Sequence, residues 1–225
     1  MQVSEQVKYE NYSKRKRGFT LAEVLLVITV IGIIASYVIP DLVISTQNQQ
    51  LKTAWRKKYS EVSQATNMII MDLGSLIGIT GGADDNYSLQ LAYQKYMNTV
   101  KSCNYANQKG SCWHLNDQWY DYDGITSLTT SAVNIGVASI LTDGSFITFN
   151  YSHNDCSYSA GDPAWSWTGV YTICGEVWVD TNGFKGPNTK GKDIMRIIIS
   201  GDGIHPYGAY GNNRALQYEA LYLMQ

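Results

Sequence analysis

Between Phe19 and Ile39 the chain places one charged side chain in 21 positions, and it is a carboxylate, Glu23. As a helix rising about 1.5 Å per residue, this run reaches roughly 30 Å, one bilayer hydrocarbon thickness. Lys14, Arg15, Lys16 and Arg17 stand directly before it, set off only by Gly18. Clustered cations stay cytoplasmic, so the residues after Pro40 are expected outside. A cleavable secretory signal needs small residues just after the apolar core. Here the run ends Ala35-Ser36-Tyr37-Val38-Ile39-Pro40, a poor site of that kind. A plain signal anchor leaves Glu23 unexplained. A carboxylate at mid-bilayer costs on the order of 2.5–3.5 kcal/mol, and less near the interface, so such a residue usually has a partner.

The whole chain has 225 residues, enough for one sizeable core or two small domains. Its charge is unevenly spread. Residues 1–18 hold five cations against two carboxylates, while the chain as a whole is slightly acidic. The remainder is therefore an acidic body, which argues against a nucleic-acid partner, because phosphate binding needs clustered cations.

Gly18-Phe19-Thr20-Leu21-Ala22-Glu23 followed by an apolar helix resembles the class III signal of type IV pilins and type II secretion pseudopilins. The resemblance covers about the first tenth of the chain, and its motif is highly specific. It implies that a prepilin peptidase cuts after Gly18 on the cytoplasmic side and methylates the new amino terminus at Phe19. It also implies that the helix stays on the mature protein and that Glu23 serves assembly. Pro40 falls where many members carry a helix-kinking proline. In the family, subunits stack helix against helix, and the acidic residue of one meets the amino terminus of another. The physics is sound: cutting creates a cation at Phe19, methylation keeps its charge, and in a low-dielectric bundle opposite charges are favoured only when paired. A carboxylate reaching back to the headgroups beside the cationic run is the plainer alternative.

Past the membrane the helix is expected to continue. Leu51, Trp55, Tyr59, Val62, Thr66, Ile69 and Leu73 recur at helical spacing and form one apolar stripe. Lys52, Arg56, Lys57 and Lys58 lie off it and read as a solvated face. Pro40 lacks an amide proton and is expected to kink or locally melt the helix. Gly74, Gly78, Gly81 and Gly82 end the pattern. A short helix over residues 89–100 follows. Ile140 to Phe149 places apolar residues around Asp143-Gly144, a hairpin signal. Residues 170–179 and 194–200 read as two further strands. The predicted fold is α+β: a long N-terminal helix, membrane half plus amphipathic half, packed on a head of three or four antiparallel strands. The predicted organisation is a leader over 1–18, a transmembrane and assembly helix over 19–40, and an exported head over 41–225.

Cys103, Cys112, Cys156 and Cys174 form no C-x-x-C and have no histidine pair at zinc spacing. Four cysteines allow three pairings. Outside the cytosol two disulfides are expected, and pairing Cys103 with Cys112 and Cys156 with Cys174 closes the two local loops.

No catalytic constellation is found, and no enzyme is predicted. His114, His153 and His205 are scattered, and G-x-S-x-G does not occur. Gly201-Asp202-Gly203 reads as a turn. Trp165 and Trp167, near Tyr158 and Tyr171, read as loop packing. The stretch from Asp180 to Asp193 has oxygen side chains at alternate positions and then glycine, as a calcium loop does. Some pseudopilins resembling this chain hold calcium in a loop of the sheet domain, and Asp180, Asn182, the Phe184 carbonyl and Asp193 are the corresponding candidates. Asp-x-Asn-Gly is equally an ordinary turn former.

The functional expectation is a membrane-anchored structural subunit, requiring no cofactor beyond such a structural calcium. Its expected partners are homologous pilin or pseudopilin subunits, a prepilin peptidase, an inner-membrane assembly platform and lipid, with no nucleic acid. The type II secretion pseudopilus is the favoured filament. A type IV pilus or competence pilin, or a tethered adhesin that never polymerises, are the alternatives.

Overall fold

The computed structural model describes residues 18–79, 85–129, 136–150, 153–156, 173–201 and 203–207. The leader cations, Trp165, Trp167, Tyr158, Tyr171, Gly81, Gly82 and Asp202 lie outside these residues. Two units divide the chain, Met1–Thr46 and Gln47–Gln225.

Helix α1 spans Leu21–Leu73 and continues through Pro40 without a break. Within the first unit its apolar side chains are almost all exposed, because no other described part of that unit covers them. Within the second unit the same helix becomes amphipathic. Trp55, Val62, Ala65, Thr66 and Ile69 are buried along one face. Two assignments from periodicity change. Leu73 is exposed, since the helix ends there and the chain turns away at Gly74, whose φ is 77°. Lys58 is buried, not solvated, because two carboxylates reach its ammonium group.

Helix α2 spans Asn86–Gln94. Its first turn is capped by Asp85, whose carboxylate accepts the Ser88 amide proton at 3.2 Å. It is shorter than the helix expected over 89–100, because Thr99 and Val100 already belong to a strand. β-branched residues lose rotamer freedom in a helix and fit a pleated edge.

Six strands form one antiparallel sheet in chain order: β1 Thr99–Cys103, β2 Val137–Leu141, β3 Phe146–Asn150, β4 Ile173–Asp180, β5 Ile194–Ser200 and β6 Gly203–Pro206. The expected three or four strands are thus six, with β1 and β6 added at the two edges. The hairpin at Asp143-Gly144 joins β2 and β3 as expected, with Gly144 at φ 84° and its amide donating to the Leu141 carbonyl at 2.9 Å. The turn expected at Gly201-Gly203 carries the chain straight into β6. Pro206 is tolerated there because an edge strand needs only half of its amide groups.

Each central strand has two buried faces. Toward α1 and α2 point Ile147, Phe149, Val177, Val179, Met195, Ile197 and Ile199, packing with Trp55, Val62, Ile69 and Tyr93. On the opposite face Phe146, Trp178 and Ile194 pack with Trp113 and Trp119. Those two tryptophans come from the segment between β1 and β2, which the Cys103–Cys112 disulfide ties down. A second disulfide joins Cys156 to Cys174. Both are the pairings that close local loops, and no described cysteine is free.

Candidate functional site

The amino-terminal segment is organised by its first turn. Gly18, Phe19 and Thr20 precede α1 in irregular backbone, and all three are exposed. Phe19 is 89% exposed, so the Gly18–Phe19 peptide bond is open to an enzyme. Thr20 and Glu23 then satisfy one another. The Thr20 amide donates to Glu23 Oε2 at 2.8 Å, and the Thr20 hydroxyl donates to the same oxygen at 2.9 Å. The Glu23 amide donates back to Thr20 Oγ1 at 3.2 Å. This is a reciprocal capping box, which occupies amide protons that a helix start leaves without partners. Sequence reasoning weighed Glu23 only as a charge. The signal for its second role was present in Thr20-x-x-Glu23 before an apolar run.

Beyond this turn the helix has an 18-residue window of mean hydropathy 2.4, none of it buried within the protein. Ser36 and Thr29 fold their hydroxyls back onto carbonyls of the same helix, Ile33 at 2.7 Å and Leu26 at 2.8 Å. Their polar groups are thereby satisfied without water, as an apolar environment requires. Pro40 offers no amide proton to the carbonyl one turn earlier.

In the head, polar groups concentrate where β4 ends. Asp180 accepts backbone protons from Asn182 at 3.0 Å and Gly183 at 2.8 Å through Oδ1. Its Oδ2 stands 2.7 Å from His114 Nε2, and both side chains are buried. Burial pushes the Asp180 carboxyl up to about 6, against the hydrogen bond from His114, with the nearby Asp193 charge adding to the rise. Asp193 accepts the Asn188 and Thr189 amides, each at 2.7 Å, one on each oxygen. Burial likewise raises its carboxyl. Gly183 sits at φ 66°, and a Cβ there would meet the Gly144 carbonyl oxygen at 2.4 Å, so the turn requires glycine. The Phe184 ring packs on Phe146 with centroids 4.5 Å apart.

Asp180, Asn182 and Asp193 are therefore brought together, with the two carboxylates engaged by loop amides. Two oxygens of the loop, Asn182 Oδ1 and Asn188 Oδ1, are buried without a hydrogen-bond donor. Carboxylates with orphan amide oxygens are the donor chemistry of a hard cation. No group of three or more His, Cys, Asp or Glu side chains disposed for a metal occurs among the described residues.

On the helix-facing side, a cleft of about 260 Å³ lies between α1 and the β2–β3 turn, lined by Lys57, Lys58, Glu61, Met68, Met97 and Asp143 among others. Lys58 Nζ lies 2.6 Å from Asp143 and 2.7 Å from Glu61. Burial works against the Asp143 carboxylate, yet the Lys58 and Ser145 hydrogen bonds hold its carboxyl well below the usual range. This triad fastens the hairpin to the helix.

Compared with known proteins, residues 13–39 match the family model of the prokaryotic N-terminal methylation motif. The match carries the signature of type IV pilins and pseudopilins without separating the two, and proteins bearing it are structural subunits. The motif implies processing by a prepilin peptidase, assembly with other pilin-like subunits and association with a membrane. No curated protein matches the chain. No solved structure matches it either.

Proposed function

We propose that this carrier of the pilin and pseudopilin signature is cut between Gly18 and Phe19, methylated at Phe19, and polymerised through α1 into a type II secretion pseudopilus. Hydrolysis of that one peptide bond leaves a carboxylate on Gly18 and an amine on Phe19. The leader stays cytoplasmic and the head lies on the far side of the inner membrane. The observation that carries the reading is the methylation motif over residues 13–39 at the head of an apolar helix that its own unit leaves uncovered. Such a surface is covered by lipid before assembly and by neighbouring helices after it. An acidic head and a candidate calcium loop favour the secretion filament over a pilus. The test is deletion of the chain in its host. Loss of exported proteins from the medium with surface fibres intact is expected. Loss of long fibres with export intact would move the chain to a pilus.

Structural calcium in the 180–193 loop is a separate part of the proposal. It is supported by Asp180, Asp193 and the orphan oxygens of Asn182 and Asn188. Calcium then raises the melting midpoint of the head relative to excess chelator. Asp180→Ala abolishes the rise. Equal midpoints for the unsubstituted head would leave the loop as a hydrogen-bonded turn.

A further inference from the structure

Two features of the head have no part in the function proposed above, and they lie on opposite faces of the sheet. The first is the turn over residues 121–126, in the segment between β1 and β2. Near its tip stands Ile125, 82% exposed. Turn positions ordinarily carry glycine or short polar side chains. This turn is also held in one shape. The Asp121 amide donates to the Thr126 carbonyl at 2.9 Å, and the Gly124 amide to the Asp121 carbonyl at 2.8 Å. Asp123 Oδ1 accepts the amide protons of Ile125 at 2.9 Å and Thr126 at 2.8 Å. At the root of the turn, the Tyr120 amide donates to the Asn188 carbonyl and the Tyr120 carbonyl accepts the Lys190 amide proton, which fixes the turn to the β4–β5 connection. A rigid turn that presents an apolar side chain loses little conformational freedom when a partner covers it.

The second feature is the cleft between α1 and the β2–β3 turn. At about 260 Å³ it is smaller than the roughly 300–1,000 Å³ of small-molecule pockets, and it suits one inserted side chain. Ala65, Met97 and Leu141 are buried in its walls, and Met68 is half exposed. Methionines are unbranched and polarisable, so they adapt to an incoming surface. Lys57 at the rim lies 3.6 Å from Glu61 and 3.5 Å from Asp143, farther than Lys58 does, and its side chain stays largely exposed. With the adjacent, exposed Arg56, cations outnumber carboxylates at this rim by one. Around the turn, Asp117, Asp121 and Asp123 outnumber Lys190 and Lys192 by one. The two surfaces are therefore opposite in charge.

Their placement decides what can join them. Trp119, just before the turn, packs on Trp178 on the side of the sheet away from α1, with ring centroids 6.0 Å apart. The cleft opens on the α1 side, so one rigid head cannot seat its own turn in its own cleft. A contact between two different patches is heterologous, and repeated from copy to copy it extends the assembly unless it closes into a ring. We infer that the Ile125 turn of one copy seats in the α1–hairpin cleft of the next, with Ile125 against Met68 and Met97 and the turn's carboxylates beside Lys57. This contact rests on the polymerisation proposed above, to which it adds a specific joint between heads.

The test uses the full chain in its native host, once wild-type filaments have been recovered. Ile125→Cys and Met68→Cys are placed first in two differently tagged populations and then together in one chain. All described native cysteines are paired, so mild oxidation reports the added thiols. The first arrangement is expected to give the mixed 68–125 dimer, and the second a ladder beyond the dimer. Ile125→Asp is expected to lower the assembled fraction about tenfold, the scale of one buried apolar side chain, and Ile125→Val to retain it. Because Ile125 is exposed within its own head, the melting midpoint of Ile125→Asp is expected to stay at the wild-type value; a lowered midpoint would place Ile125 in the fold of its own head and overturn the inference. Filaments without the 68–125 cross-link, a ladder that stops at the dimer, a cross-link to a different protein in place of a second copy, or normal assembly by Ile125→Asp also overturn it and leave the proposed function standing. A wild-type chain that never polymerises overturns both.

Discussion

At the level of single residues, Glu23 does two things at once. It closes the capping box with Thr20, and it keeps one carboxylate at the start of an apolar helix. The two roles separate by substitution. Glu23→Val removes the charge and the cap within the first unit, so the stability of the separate head unit is expected to stay unchanged while filaments are lost. Equal filament yield in that variant would refute the charge's role in assembly. Lys58 teaches the complementary lesson. Helical periodicity set it off the apolar stripe, yet it is buried on the same face as Trp55 and Val62, because periodicity cannot see Asp143 arriving from a distant hairpin. Lys58→Met removes the buried one of the two lysines that Asp143 and Glu61 share, leaving only the longer contacts of the exposed Lys57. Because Asp143 remains partly exposed, the expected loss is about 1–3 kcal/mol, below the value for a fully buried pair. Urea unfolding of the 47–225 head measures it. The Asp143 carboxyl is held low, so its contribution is fully present above the ordinary carboxylate range and is lost as pH falls below about 4.

At the level of elements, the sheet shows which parts of a sequence speak for themselves. The β2–β3 hairpin and β5 were legible because an Asp-Gly turn and a dense β-branched run are local signals. β4 was legible as a strand, but its two-sidedness was not. Glu176, Trp178 and Asp180 alternate with Val177 and Val179, a pattern that reads as one wet face. The wet face is instead dry, because Trp113 and Trp119 cover it from a loop that the Cys103–Cys112 bond ties down, together with its own turn hydrogen bonds. β1 and β6 were missed for the same reason: they are edge strands defined by their neighbours. Removing both Cys103 and Cys112 by serine substitution is expected to destabilise the head by about 2–4 kcal/mol, read as a shift in the denaturant midpoint; an unchanged midpoint would mean that the tryptophans alone anchor the loop. The buried carboxylate on this face also gives a pH dependence. Burial raises the Glu176 carboxyl, against attraction from Arg196, whose guanidinium lies 3.4 Å away. A group raised in the folded state favours folding most below its unfolded pKa, and that contribution is lost as pH rises through the folded value. Melting midpoints should therefore fall over that rise in pH on account of Glu176, and Glu176→Gln should flatten this part of the profile. A profile unchanged by the substitution would show that Glu176 titrates as it does when unfolded.

At the level of the whole molecule, the chain is two kinds of surface on one continuous helix. The described residues of the first unit have an apolar exterior and bury no core, and the second unit has a core on both sides of a six-stranded sheet. The apolar helix of the first unit was legible in the sequence, since hydropathy is a one-dimensional property. The Gly18–Glu23 motif was read from the sequence as a signal, but the capping box that Thr20 and Glu23 close was not. The 180–193 loop was legible as a cluster of oxygens, but its pairing with His114 depends on tertiary packing across the sheet. The central claim concerns the amino terminus, and the intact mass of the protein extracted from its own membrane tests it most directly. The expected species begins at Phe19 with one methyl group on its amine and retains everything from there to Gln225. A mass that still includes the leader, in cells with an active prepilin peptidase, would contradict the account.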